Sequence, residues 1–221
     1  MTREFHNKDC MAGMAKYPNN YFDLAIVDPP YNLRRFQNDR PSSRLDKYGK
    51  MRNWNNAALP QNYFSEMFRI SKIQIVWGGN YFDLPKTQGW IFWDKHQPAP
   101  SFAAGELAWT SIDKPLIKID LPYFGTVGAD IKRIHPAQKP VALYRWLLKN
   151  YAEPGQIILD THVGSASSLI ACEMEGFEYV GFEIDEDYYK AAMERIKRFR
   201  MQPDMFSPQP KRTEAMQMEI I

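Results

Sequence analysis

The chain has few of the features that would place it outside the ordinary soluble enzymes. Its longest apolar runs, such as Ile73–Trp77 and Gln156–Leu159, are far shorter than a bilayer span, and the first ten residues, MTREFHNKDC, carry charges. No membrane segment or secretory signal is expected. Two cysteines in 221 residues, Cys10 and Cys172, do not make a disulfide framework and point to a reducing compartment, so the cytoplasm is the expected location. Four histidines and two cysteines without zinc spacing argue against a metal site. A net charge of +2 is too small to announce a nucleic-acid partner by itself. No lysine follows the small-residue turn around Gly164, which excludes a phosphate-gripping P-loop, and Gly164 stands alone where a dinucleotide fingerprint has three glycines.

What is present is a long alternation of apolar and amphipathic segments. Expected strands cover Glu4–His6, Phe22–Val27, Ile73–Trp77, Trp90–Trp93, Glu106–Thr110, Gln156–Leu159 and Tyr179–Glu183. Expected helices cover Gln61–Ile70, Pro140–Tyr151, Ser165–Glu175 and Glu186–Phe199. The last has Asp185 at its N-cap position, and Gly176 suits the C-terminal end of the helix before it. This pattern predicts an α/β fold with seven strands in a largely parallel sheet. A 44% hydrophobic chain of this length supports one such domain, residues 1–200, with a loosely attached tail from 201 to 221.

Three segments carry chemistry. The strand FDLAIVDPPYNL (Phe22–Leu33) ends in an acid, two prolines and a tyrosine. The following segment, about 32–58, sets seven basic residues against Asp39 and Asp46 and lacks a hydrophobic period, so it reads as a functional surface loop or a solvated linker. The stretch Gly155–Asp185 is a strand, a small-residue turn, a helix, a second strand and an acid cluster, in which Gly164 would let a ligand approach and Glu183 would accept from ribose hydroxyls. An ordinary turn beside a solvated acid cluster is the plainer alternative. Lys139, without its motif, would read as a solvated lysine at a helix start.

Together, DPPY at Asp28–Tyr31, HPAQKP at His135–Pro140, LDTHVGSASS and GFEID resemble the S-adenosylmethionine-dependent DNA amino-methyltransferases. The motif order is similar to the permuted β-group, and phage and bacterial adenine enzymes look nearest. The resemblance spans Glu4 to about Arg198 and implies that the sheet is Rossmann-like with helices on both faces. It implies catalytic roles for Asp28, Pro29, Pro30 and Tyr31: the Asp28 carboxylate and Pro29 carbonyl accept from an adenine 6-amino group, and Tyr31 stacks on the base. It implies S-adenosylmethionine as cofactor, with Asp9 and Cys10 at its adenine end, Asp160 and Gly164 near its methionine part, Glu183 at the ribose, Gln138 and Lys139 near the carboxylate, and Ser165 as a further cofactor-binding residue. Double-stranded DNA is the implied partner, contacted through phosphates by Arg34, Arg35, Arg40, Arg44 and Lys47. No membrane partner is implied, and a homodimer is left open. Two alternatives stay open at this level: transfer to the cytosine 4-amino group, and a methyltransferase-like DNA-binding protein impaired in catalysis. The turn departs from the family pattern at Thr161, His162 and Ala166, the last adding a methyl where the family has glycine.

Overall fold

The computed structural model describes residues 2–31, 59–96, 103–123, 133–135 and 137–201. The expected basic loop, with Arg34, Arg35, Arg40, Arg44 and Lys47, lies outside these residues, as does the expected tail beyond Met201.

Among the described residues, eight strands form one sheet: β1 (Arg3–Asn7), β2 (Phe22–Val27), β3 (Ser71–Trp77), β4 (Trp90–Asp94), β5 (Gly105–Thr110), β6 (Ile117–Asp120), β7 (Ile157–Asp160) and β8 (Glu178–Glu183). Their order is β1-β8-β7-β2-β3-β5-β4-β6. The seven expected strands are all there. The eighth, β6, escapes the sequence pattern because it has four residues, two of them charged, and sits at the sheet edge against β4 alone. Among these described strands, β5 alone runs antiparallel to its neighbours.

Strand β2 shows why the apolar run is continuous. Leu24 and Ile26 join one core layer and Ala25 and Val27 the other, so both faces are covered, as a parallel sheet requires. Helices α1 (Cys10–Met14) and α2 (Tyr63–Ile70) cover the Ala25/Val27 face. The other face is covered by α3 (Val141–Tyr151), α4 (Ser167–Glu175) and α5 (Glu186–Met201). Five residues are too few for a periodic signal, which is why α1 is not legible beforehand.

The caps behave as the side-chain chemistry dictates. Asp185 Oδ1 accepts from the backbone N–H groups of Asp187 (2.9 Å) and Tyr188 (3.1 Å). Gly176 closes α4 at φ 78°, with the Phe177 N–H donating to Cys172 O at 2.9 Å. Arg195, buried on α5, donates from Nη1 to the Ser165 carbonyl (2.6 Å) and to Ser167 Oγ (2.9 Å), so this helix braces the turn after β7.

The Gly176 cap gives a clean test of backbone strain, because an added Cβ would meet nothing within 4 Å. Gly176→Ala is expected to lower unfolding free energy by about 1 kcal/mol through the left-handed conformation alone, measured by urea denaturation.

Candidate active site

Strands β2 and β7 lie side by side and parallel, Leu24 opposite Ile158, yet the chain leaves β2 toward β3 and leaves β7 toward β8 on the other side. A crevice opens at the carboxyl ends of such a pair. Asp28 follows β2, Asp160 ends β7, Glu183 ends β8, and Asp9 follows β1, so four acids from four strands meet along one edge. A cavity of about 550 Å³ sits there. Its wall includes Asp9, Cys10, the whole Asp28–Tyr31 tetrapeptide, Glu106, Lys139, the Thr161–Ser165 turn and Glu183.

The Asp28 side of the cavity is a charge network. Lys139 Nζ lies 2.5 Å from Asp28 Oδ2 and 3.1 Å from Glu106 Oε2, with its side chain only 4% exposed. The second oxygen of Glu106 pairs with Lys95. Tyr31 Oη donates to Asp28 Oδ1 at 2.5 Å. Burial works against the Lys139 ammonium, but Asp28 and Glu106 outweigh it and hold the lysine above its ordinary value. Burial likewise pushes Glu106 up, and Lys139 and Lys95 win, leaving its carboxyl below the usual range. Tyr31 is pushed well up by burial and then by Asp28, so its hydroxyl stays protonated and available as the donor. The Tyr31 ring stacks on Tyr81, centroids 5.1 Å apart. It also packs over Gly78, where any Cβ would strike the ring.

The turn side is built from backbone. Gly164, at φ 53°, has its N–H on Glu183 Oε2 at 2.9 Å, and a Cβ added there would lie 3.3 Å from His135 Nδ1. Asp160 is buried, accepts from Ser168 and from the His162 N–H (2.9 Å), and is raised to about 7, by burial above all. Ala166 adopts the left-handed conformation at φ 63°, and its methyl belongs to the core cluster rather than to the cavity wall. The departure from glycine therefore adds bulk away from the ligand space. Burial, then Asp9, pushes the Cys10 thiol up to about 12, so Cys10 is a neutral wall and not a nucleophile.

Thr161 and His162 form a hydroxyl relay with Tyr63. Tyr63 is fully buried, and among the described residues its hydroxyl meets Thr161 Oγ1 at 2.6 Å. Thr161 Oγ1 also hydrogen-bonds His162 Nδ1 at 2.9 Å, so the hydroxyl joins the phenol to the imidazole. Burial lowers His162 to about 4, which keeps that ring neutral.

Of the residues singled out in the sequence, the cavity gathers Asp9, Cys10, Asp28, Pro29, Pro30, Tyr31, Lys139, Gly164, Ser165 and Glu183. Asp160 stands just beneath the turn. Gln138 does not line the cavity: its Oε1 accepts from the Ile134 N–H at 3.0 Å and braces its own loop. Lys139 is no solvated lysine. Glu106 is the residue sequence reasoning missed as a site member, since an acid opening a strand looks like a solvated end until the reversal of β5 brings it beside Lys139.

One reversed strand in an otherwise parallel sheet, with a cavity over its carboxyl edge, defines a Rossmann-like methyltransferase domain. A model of the N6/N4 methyltransferase family, described as DNA methylase, matches residues 72–194, more than half of the sequence, and the chain belongs to this family. It is 28% identical over 213 residues to YubD of Escherichia coli (strain K12), a methylase candidate by name, covering 87% of this chain and 89% of that one. It is 24% identical over 225 residues to the type II methyltransferase M.HpaI of Haemophilus parainfluenzae, covering 80% and 68%. The fold matches the PvuII DNA methyltransferase, cytosine-N4-specific, with a TM-score of 0.60 at 16% identity, over 94% of this chain and 89% of that one. The family match begins after the DPPY tetrapeptide, and strand pairing is what brings that tetrapeptide to the matched turn.

The neutral His162 predicts a pH dependence. Its folded value lies below the ordinary 6.5, so the stability it contributes is complete above about 6.5 and is lost as pH falls toward about 4. Urea midpoints of the wild type are expected to fall more steeply over that interval than those of His162→Gln.

Proposed function

We propose that this protein is an S-adenosylmethionine-dependent DNA methyltransferase of the permuted β-group, acting on the 6-amino group of adenine in double-stranded DNA. The observation that carries the reading is that Asp28–Tyr31, after β2, and the Thr161–Ser165 turn, after β7, share one cavity across the point where the chain reverses direction.

The residues fit the cofactor. Gly164 admits close approach, Glu183 and Asp9 offer acceptors for hydroxyl and amine groups, and the turn lacks a lysine for phosphate. Bound there, S-adenosylmethionine would supply a methyl already activated by its sulfonium. Ser165 and Asp160 belong to the same reading, at the methionine side of the turn.

The chain's own part is to prepare the amine. An adenine amine is a weak nucleophile because its lone pair is delocalised into the ring. Asp28 and the Pro29 carbonyl draw the amine hydrogens out of the ring plane and stabilise the positive charge that develops on nitrogen. Pro30 restricts Pro29 and each proline fixes its own φ, so the carbonyl direction costs little to hold. Inside a duplex the amine is paired, so the base must flip out, at a cost of a few kcal/mol. In this reading Arg34, Arg35, Arg40, Arg44 and Lys47 offset that cost through phosphate contacts.

A second reading is transfer to the cytosine 4-amino group, since the same acceptor pair suits any aromatic amine and the PvuII enzyme of similar fold is cytosine-N4-specific. The DPPY tetrapeptide favours adenine. Against the binding-only reading stands the Ala166 methyl that motivated it, which belongs to the core cluster.

Asp28→Ala is expected to abolish transfer of labelled methyl to DNA while calorimetry still detects cofactor binding; transfer at the wild-type rate contradicts the mechanism. Ala166→Gly is expected to change the cofactor dissociation constant less than about twofold, because only core packing and local backbone freedom change.

A further inference from the structure

We propose that Lys139 is a positioning residue for Asp28, braced by Glu106, and not a counter-ion for a cofactor carboxylate. The assignment rests on the reading of Asp28 as the amine acceptor.

An ammonium has three hydrogens to give. Lys139 donates to Asp28 Oδ2 at 2.5 Å and to Tyr31 Oη at 3.4 Å, and Glu106 Oε2 lies at ion-pair distance, 3.1 Å, so three protein oxygens surround Nζ. The indole of Trp77 and the ring of Tyr31 lie 5.4 and 5.9 Å from Nζ and wall in the remaining side. A cofactor carboxylate would have to displace one of these partners from Nζ. Pro140 follows directly, which restricts the Lys139 backbone to an extended conformation at the entry to α3.

The network sets the Asp28 carboxylate in one orientation. Lys139 holds Oδ2 and Tyr31 holds Oδ1, and each oxygen keeps a second lone pair for the amine hydrogens. Glu106 supplies the opposing charge, so Lys139 is shared between two carboxylates and does not cancel the field of Asp28. Lys95, on the far oxygen of Glu106, completes an alternating row of four charges. Removing Lys139 would leave Asp28 and Glu106 as two buried carboxylates without their common cation, which favours a shared proton and a misdirected acceptor.

The test separates binding from chemistry by measuring the cofactor dissociation constant and the single-turnover rate of methyl transfer to DNA at saturating cofactor. Lys139→Met is expected to slow transfer by about 100-fold, the range seen when one preorganised electrostatic partner is removed, with the dissociation constant within about threefold of wild type. Glu106→Gln, close in shape, is expected to slow transfer by about 10-fold with cofactor binding unchanged, and it carries the test if the Lys139 variant does not fold. The double variant should fall short of the product of the two effects, as residues in one network do. A dissociation constant raised tenfold or more in Lys139→Met, with a saturating rate near wild type, would show that the lysine serves the cofactor and overturn the proposal. An unaltered rate in Glu106→Gln would remove the brace and overturn it as well. If the wild type binds cofactor but transfers nothing to DNA, the reading of Asp28 as acceptor fails and takes this assignment with it.

Discussion

The parallel contact between β2 and β7 is the constraint on which the rest depends. Two adjacent strands whose chains depart in opposite directions cannot both be followed by backbone covering their ends, so a crevice is left open. Much of the cavity wall is then delivered by strand ends: an acid and two prolines from β2, a small-residue turn from β7, Glu183 from β8 and Asp9 from β1. The strands themselves need only be apolar on both faces. Function therefore sits in residues the core does not require, which explains why a strand as featureless as Leu24–Val27 can end in so particular a tetrapeptide.

Within that crevice, the buried charges are balanced in sequence rather than in isolated pairs. A lone carboxylate would be costly where Asp28 stands, and a lone ammonium would be costlier where Lys139 stands. Lys95, Glu106, Lys139 and Asp28 alternate in sign, and each relieves the burial cost of the next. Such a row is rigid because no member moves without exposing another. Under the proposed function, that rigidity aims the Asp28 acceptor before its substrate arrives.

Much of this was legible in the sequence. The Phe22–Val27 strand, the Asp185 cap, the Gly176 stop and the cofactor-like turn all declare themselves locally, through apolar pattern or a single special residue. The departures have physical causes of the same kind. Strand β6 is short and half charged, and helix α1 is a single turn and a half held by Asp9, so neither builds a period. Lys139 and Glu106 are 33 positions apart and meet only because β5 runs backwards, a fact of topology that no local pattern encodes. Ala166 illustrates the reverse error: the sequence reports an added methyl but not which way it points, and the left-handed turn sends it into the core.

The central claim is that an amine acceptor and a methyl-donor pocket share one cavity and that the amine is that of adenine. The most direct measurement is mass spectrometry of nucleosides from unmethylated duplex DNA incubated with the protein and S-adenosylmethionine bearing a deuterated methyl. Deuterated N6-methyladenine is the result the account predicts. Deuterated N4-methylcytosine in its place, or no labelled nucleoside at all, would contradict it.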